Sequence, residues 1–294
     1  LYPKINLLGK ELIMEKKKHL FGVVFMVVCL CASAAPAFDP MGPPTAGLKQ
    51  SSLSAGVEYM WSNMDIESYS VHTKVNGIPA PGLFVSGTVK NVESNKIYAN
   101  LGFGMTDDWE VFLRLGAADA DPDKSKNSDN LAGYTGCSDY GFAIGGGTKI
   151  TFLKSENGKL KWGALAQVSW AILDFDRKSY SIDGYDATLS AEIDLLEAQL
   201  AVGPTYNLRE GVSIYGGPFF HFINGEADLK GSIDGMPLKV SADLKQDSIF
   251  GGYVGIQIDI KPSPSEVTNG CYLFGEFQFT GDGWGFGTGF GYKF

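Results

Sequence analysis

Histidine and cysteine are scarce in this chain, three and four among 294 residues. So few thiols exclude a disulfide-dense scaffold. Long apolar runs are missing too, apart from one stretch near the N-terminus, which excludes a bundle of membrane helices. A hydrophobic content of 44%, 13% aromatics and a mean hydropathy of -0.02 in turn exclude a disordered polymer. Positive charge is the minority sign, with 24 Lys and Arg against 33 Asp and Glu.

The single apolar run has a defined setting. Met14, Glu15 and the basic Lys16, Lys17 and Lys18 precede Phe21 to Leu30, and the small-residue stretch CASAAPA follows. That order is a secretory signal peptide over 14–37, with Ala35 and Ala37 placed for cleavage before Phe38. Met14 then reads as the start, and 1–13 as an upstream extension. Val28 and Leu30 precede Cys29 and Cys31, where a lipoprotein requires a small residue. Residues 1–37 carry five lysines and two glutamates, so the exported chain keeps 19 basic and 31 acidic residues, a net charge of -12. An acidic exported chain is a poor nucleic-acid binder.

What is abundant is period-two alternation, the signature of β-strands. After a Pro/Gly-rich leader over 38–50, about ten such segments follow one another through 51–294 with no amphipathic helix between them. Leu53, Ala55, Val57, Tyr59 and Trp61 share one face of the first, while Ser54, Gly56, Glu58 and Met60 share the other. The last segment sets Trp284, Phe286, Phe290, Tyr292 and Phe294 against Gly285, Gly287, Gly289, Gly291 and Lys293. Such a glycine face cannot fill half the core of a β-sandwich. In a narrow barrel it makes room for larger lumen neighbours such as Tyr253 and Phe274.

Short links at 105–109, 153–159, 207–211 and 261–270 alternate with longer polar links at 65–92, 118–139, 176–187 and 226–246. The link at 281–283 is short where a long one is due. Asn76-Gly77, Asp183-Gly184 and Asp234-Gly235 sit inside longer links with strand-like flanks, which signals two-residue hairpins extending beyond a membrane as an outer β-rim. Around Leu195 and Leu196 the apolar phase flips, as at a bulge or a passage from membrane to rim. Segment 83–90 is a candidate further strand.

A sheet crosses lipid only when it closes on itself. The expected fold is therefore all-β: a closed antiparallel up-and-down transmembrane β-barrel of about ten strands, eight to twelve being admissible, with long extracellular hairpins. Trp61, Trp109, Trp162, Trp170 and Trp284 face outward as aromatic girdles, Trp162 and Trp170 being spaced to reach opposite interfaces. Outer-membrane lipids are the implied surroundings. In these features the chain resembles the bacterial outer-membrane β-barrel proteins, in the OmpA-like and porin-like sense, over nearly all of its exported length. The resemblance implies that the terminal FGYKF, with Phe290, Tyr292 and Phe294, is a signal read by the barrel assembly machinery.

Glu58, Glu110, Arg114, Lys149, Glu197, His221, Asp259 and Glu276 fall on the lumen face. They form either a plug of ion pairs, the reading a narrow barrel favours, or the wall of a cation-preferring channel. Barrel proteases of the omptin type need paired aspartates and a His-Asp couple, and barrel deacylases a His with Ser. Only His72 and His221 remain after export, and neither matches such a motif, so no enzymatic activity and no catalytic residue is expected. Asp119, Asp121 and Asp123 alternate, yet Lys124 and Asn130 replace the glycine and bidentate glutamate of a calcium loop; neither metal nor cofactor is expected. Cys137 near an outer link and Cys271 at an inner turn lie too far apart to bond. The expected role is structural or surface-interacting, with at most narrow solute passage.

Overall fold

The computed structural model describes residues 38–80, 87–121, 140–182, 185–233, 235–260 and 270–294. They form strands, turns and bends, with no helix among them. The strands are β1 (Leu53–Val75), β2 (Ile78–Pro79), β3 (Gly87–Thr106), β4 (Trp109–Asp121), β5 (Gly141–Lys154) and β6 (Leu160–Ile182). They continue as β7 (Tyr185–Arg209), β8 (Val212–Ile233), β9 (Met236–Lys245), β10 (Phe250–Ile260), β11 (Gly270–Thr280) and β12 (Gly283–Lys293).

All pairings are antiparallel. The chain runs β1-β3-β4-β5-β6-β7-β8 around a ring, then β10-β11-β12, and β12 returns to β1 through Ser54↔Lys293 to Met64↔Gly283. The membrane ring thus has ten strands, with no unpaired edge to offer to lipid. Segment 83–90 adds no eleventh strand, because its part from Gly87 onward is the outer end of β3; residues 83–86 lie outside the described residues.

A second closure lies above the first. Beyond its pairing with β10, which ends at Phe220↔Phe250, β8 pairs with β9 from Asn224↔Lys245 to Ile233↔Met236. β9 in turn pairs with β1 from Glu67↔Lys245 to Val75↔Leu238. The β8–β9 hairpin therefore spans the sector above β10, β11 and β12. This explains the short 281–283 link: that sector of the rim is built by another hairpin. Asp282 ties the two levels, its carbonyl accepting from the Asp65 amide and its carboxylate from the Ser248 amide.

Each expected two-residue hairpin is flanked by paired strands: Val75↔Ile78, Ile182↔Tyr185 and Ile233↔Met236. Asn76 (φ 51°) and Gly77 (φ 76°) adopt the left-handed geometry such a turn requires. Asp183, Gly184 and Asp234 lie outside the described residues.

The side-chain pattern changes with height. In the membrane ring Leu113 (69% exposed), Leu101, Val254 and Phe286 point to the lipid, while Glu58, Arg114, Gln167 and Glu276 are buried in the lumen. In the rim the interior is apolar instead, with Met64, Ile66, Leu173, Ile193, Leu195 and Leu244 all wholly buried. β7 keeps an unbroken register with β8 from Ala187 to Ala201, so no bulge underlies the apolar flip at Leu195 and Leu196. Leu195 points inward and Leu196 outward, and it is the surroundings that invert.

The glycine face of β12 receives the lumen groups of its neighbours. A β-carbon at Gly291 would meet the Tyr272 ring at 2.6 Å, one at Gly285 would meet Met60 Cε at 2.7 Å, and one at Gly289 would run into the Phe274 ring.

Candidate functional site

The leader does not hang from the barrel; it fills it. Residues 38–46 and Leu48 are buried. The segment rises from the inner turns, where the Gln50 amide donates to the Asp107 carboxylate (3.0 Å), to Phe38, which packs edge-on against Phe219 at 5.9 Å. Its composition suits this path. Pro40, Pro43 and Pro44 have no N–H, so fewer buried donors need partners in a segment that joins no ladder.

The donors that remain meet the wall. Glu276 accepts from the Met41 amide (2.6 Å) and the Gly42 amide (2.8 Å), and the two amides of Gly47 and Leu48 converge on Glu110 Oε2 at 2.7 and 3.0 Å. The Ala46 amide donates to Thr151 Oγ1, and the Thr45 and Thr205 hydroxyls bond each other at 2.9 Å. Arg114 Nη2 and Gln278 Nε2 donate to the carbonyls of Pro40 (2.6 Å) and Asp39 (2.8 Å).

Charge is neutralised in local groups. Lys96, wholly buried, bridges Asp39 (3.0 Å) and Glu197 (2.6 Å), and Tyr98 donates to the same Asp39 oxygen. Arg114 Nε lies 2.6 Å from Glu58 Oε2 and stacks over Phe112 at 4.6 Å, and Asn100 donates to the other Glu58 oxygen. Buried ions of opposite sign at this range, with their remaining valences bonded, offset the cost of leaving water.

Seven of the eight expected lumen residues fall in or beside these groups, Lys149 approaching Glu110 at 3.9 Å. Asp259 stands apart at the inner mouth with Lys293, 2.8 Å away. His221, for which the sequence offers no partner, lies 3.3 Å from Glu197. It is wholly buried against Phe38 and Phe219, so it faces packed rings where a catalytic base would need substrate access. His72 is exposed on the rim. Among the described residues no group of His, Cys, Asp and Glu is arranged to hold a metal. Cys271 is a free thiol at the inner end of β11; Cys137 lies outside the described residues.

Sequence reasoning missed Lys96, Asp39 and the leader's destination. Lys96 was legible, since it shares the even-numbered phase of Tyr98 and Asn100, one residue before the alternating segment 97–104. Nothing in the leader's own spacing points into a barrel.

Below the leader, a cavity of about 640 Å³ opens at the inner mouth between Lys161, Arg209, Asp259 and Lys293. On the outer surface Trp61 and Trp284 meet edge-on at 4.8 Å. Trp284 lies at the start of β12 and Trp61 stands beside it, with Trp170 also where the membrane ring gives way to the rim, whereas Trp109 and Trp162 flank the inner turns. Phe290 on β12 and Phe294 just past its end are more than half exposed, and the Phe294 amide donates to the Leu53 carbonyl at the β1–β12 seam.

A closed ring, an exposed apolar band and two aromatic levels together admit one setting. The chain is a closed transmembrane β-barrel. No family model and no curated relative matches its sequence. Solved structures similar to it include the Escherichia coli outer membrane protease OmpT, at 10% identity and TM-score 0.43 over 87% of this chain and 98% of that one. The Pseudomonas aeruginosa outer membrane protein OprG matches at 14% identity and TM-score 0.40 over 84% and 98% of the two chains. The translocator domain of the autotransporter NalP from Neisseria meningitidis matches at 9% and 0.43 over 84% and 89%.

Proposed function

We propose that this protein is a sealed outer-membrane barrel with a structural or surface-interacting role, offering its polar rim to the outside and at most narrow passage to solutes. The observation that carries the reading is double occlusion. The leader fills the lumen at membrane height, and an apolar core closes the rim above it. A solute passing through would have to unseat charge-paired side chains and then cross a layer lined mainly by packed apolar side chains. Polar groups outside that layer, Asp174, Asp194 and Glu226 among them, are exposed and form the surface a partner would meet.

Phe290, Tyr292 and Phe294, on the strand that closes the ring, serve in this reading as the recognition signal for the barrel assembly machinery. Changing Phe294 to Ser is expected to lower the yield of folded protein in the outer membrane while leaving the stability of refolded barrel nearly intact.

A cation-preferring channel is the second reading, favoured by the carboxylate-rich lumen wall. Planar-bilayer recording separates the two. The purified full exported chain is expected to leave the bilayer silent. Steady open channels that weaken on Glu197→Ala or Glu276→Ala would establish the channel and overturn the sealed barrel.

A further inference from the structure

The sign of the charge reverses at the inner end of the lumen. At the height of the leader carboxylates are in the majority, Asp39, Glu58, Glu110, Glu197 and Glu276 against Lys96, Arg114 and Lys149. Around the inner-mouth cavity the balance is opposite: five of the chain's 24 Lys and Arg line it, Lys49, Lys159, Lys161, Arg209 and Lys293, against the carboxylates Glu210 and Asp259. A smaller cavity of about 160 Å³ adjoins the first, sharing Lys161, Asp259 and Lys293 and taking Pro43, Thr45 and Leu48 of the leader into its wall. The leader packs the lumen beyond. One of the five cations is also built into the wall without a counter-ion. Lys161 shares the inward phase of Gly163, Leu165 and Gln167 on β6 and is half-buried. Burial works against its charge, and of the charges near it Lys154 and Lys293 repel while Asp108 and Asp259 attract. Both carboxylates are already taken, Asp108 by Lys154 and Asp259 by Lys293 at 2.8 Å, and among the described residues no carboxylate pairs with Lys161 or Arg209.

We infer that the inner mouth is a binding site for a small soluble organic anion carrying two or more phosphate or carboxylate groups, held by Lys161 from the wall and by Arg209 from the end of β7. A cation withdrawn from water needs a partner, and the protein supplies Lys161 with none. A cleft lined by one sign of charge also concentrates ions of the other. The Arg209 guanidinium offers parallel N–H donors to two oxygens of one phosphate or carboxylate, while Lys161 acts as a point charge. Asn207 and Ser213, in the lining of both cavities, supply hydrogen bonds for further oxygens. The larger cavity falls within the roughly 300–1,000 Å³ of small-molecule sites. Because the leader packs the lumen beyond, an anion that enters is retained at the mouth. The site stands on the geometry of the inner mouth, and is there whether or not the barrel conducts.

Calorimetric titration of the purified full exported chain, in nonionic detergent at low salt, tests the site with citrate and with pyrophosphate as probes. Saturable binding of one molecule per barrel is expected for at least one probe, and the lack of a saturable heat from both overturns the proposal. Lys161→Gln is expected to weaken binding about tenfold or more, the scale for losing a charged hydrogen-bond partner. Arg209→Gln changes an exposed side chain, so it leaves the fold intact and should weaken binding too. Unchanged affinity in both variants would overturn the site. Lys230→Gln combined with Lys239→Gln removes two charges from the outer rim and should leave affinity as it was; an equal loss there would show attraction to overall charge alone and sink the assignment. A last arm separates a soluble anion from a lipid headgroup. Citrate affinity is expected to be the same in zwitterionic vesicles and in vesicles containing phosphatidylglycerol, and competition by the anionic lipid would give the site to a headgroup and overturn the soluble ligand.

Discussion

The membrane ring and the rim are two barrels of opposite polarity made from the same strands. Below, β6 and β7 turn Val168, Trp170 and Leu200 to the lipid and Gln167, Glu197 and Gln199 to the lumen. A few residues further along the same strands, Leu173, Ile193 and Leu195 point inward while Asp174 and Asp194 point out. The backbone crosses this boundary on β7 without a break in register. Solvent therefore decides polarity here: hydrocarbon outside selects an apolar exterior, water outside selects an apolar interior, and strand geometry is indifferent to which. The leader belongs to the lower barrel, because only there are polar wall groups available to its amides.

The comparison is most sharply tested where the lower barrel depends on charge. Lys96→Met leaves Asp39 and Glu197 facing each other without their shared cation, and is expected to cost about 3–5 kcal/mol of stability. Urea unfolding of the barrel in lipid vesicles measures it, and a loss well below that would mean that water, not packed protein, surrounds these groups. Adding Asp39→Asn and Glu197→Gln to Lys96→Met should recover much of the loss, since no charge is then left unpaired.

A paired substitution tests the inversion itself. Leu173→Ala removes a wholly buried side chain from the rim core and should cost about 2–5 kcal/mol, the range for a cavity in packed protein. Leu113→Arg puts a charge against lipid tails, and should cost about 2–4 kcal/mol in vesicles. In a detergent micelle the second cost should shrink and the first should not. Equal costs in both media for both substitutions would erase the distinction between the two regions.

How far the sequence carried these conclusions depended on whether a feature was local. Strand faces, the ring of ten and the outer hairpins are written in alternation and in Asn-Gly and Asp-Gly pairs, so they could be read residue by residue. The inward direction of Glu58, Arg114 and Glu276 followed from the same phase. Three things did not follow. The β8–β9 hairpin, signalled by Asp234-Gly235 within 226–246, pairs with β1, far away in sequence, and nothing in its own spacing names that partner. Lys96 lay one residue before the segment whose phase would have placed it. The path of Phe38 to Leu48 depends on hydrogen bonds to side chains of β4, β5 and β11, whose convergence exists only once the ring has closed.

The smallest expected effect is on the outer face of the rim. Asp228 is half-buried there, and although burial raises its pKa, the hydrogen bond from Ser241 and then the neighbouring Lys239 and Lys230 leave it below the usual carboxylate value. A folded-state pKa lower than the unfolded one, about 3.9, means that its contribution to stability is complete above that pH and disappears as pH falls through the folded value. Screening by solvent limits the contribution to less than about 1 kcal/mol. Asp228→Asn should therefore flatten the stability profile slightly at the acid end and leave it unchanged near neutrality apart from the same small offset. Because this carboxylate is held by water-facing partners, added salt should reduce the effect, whereas the cost of Lys96→Met inside the lower barrel should respond to salt hardly at all.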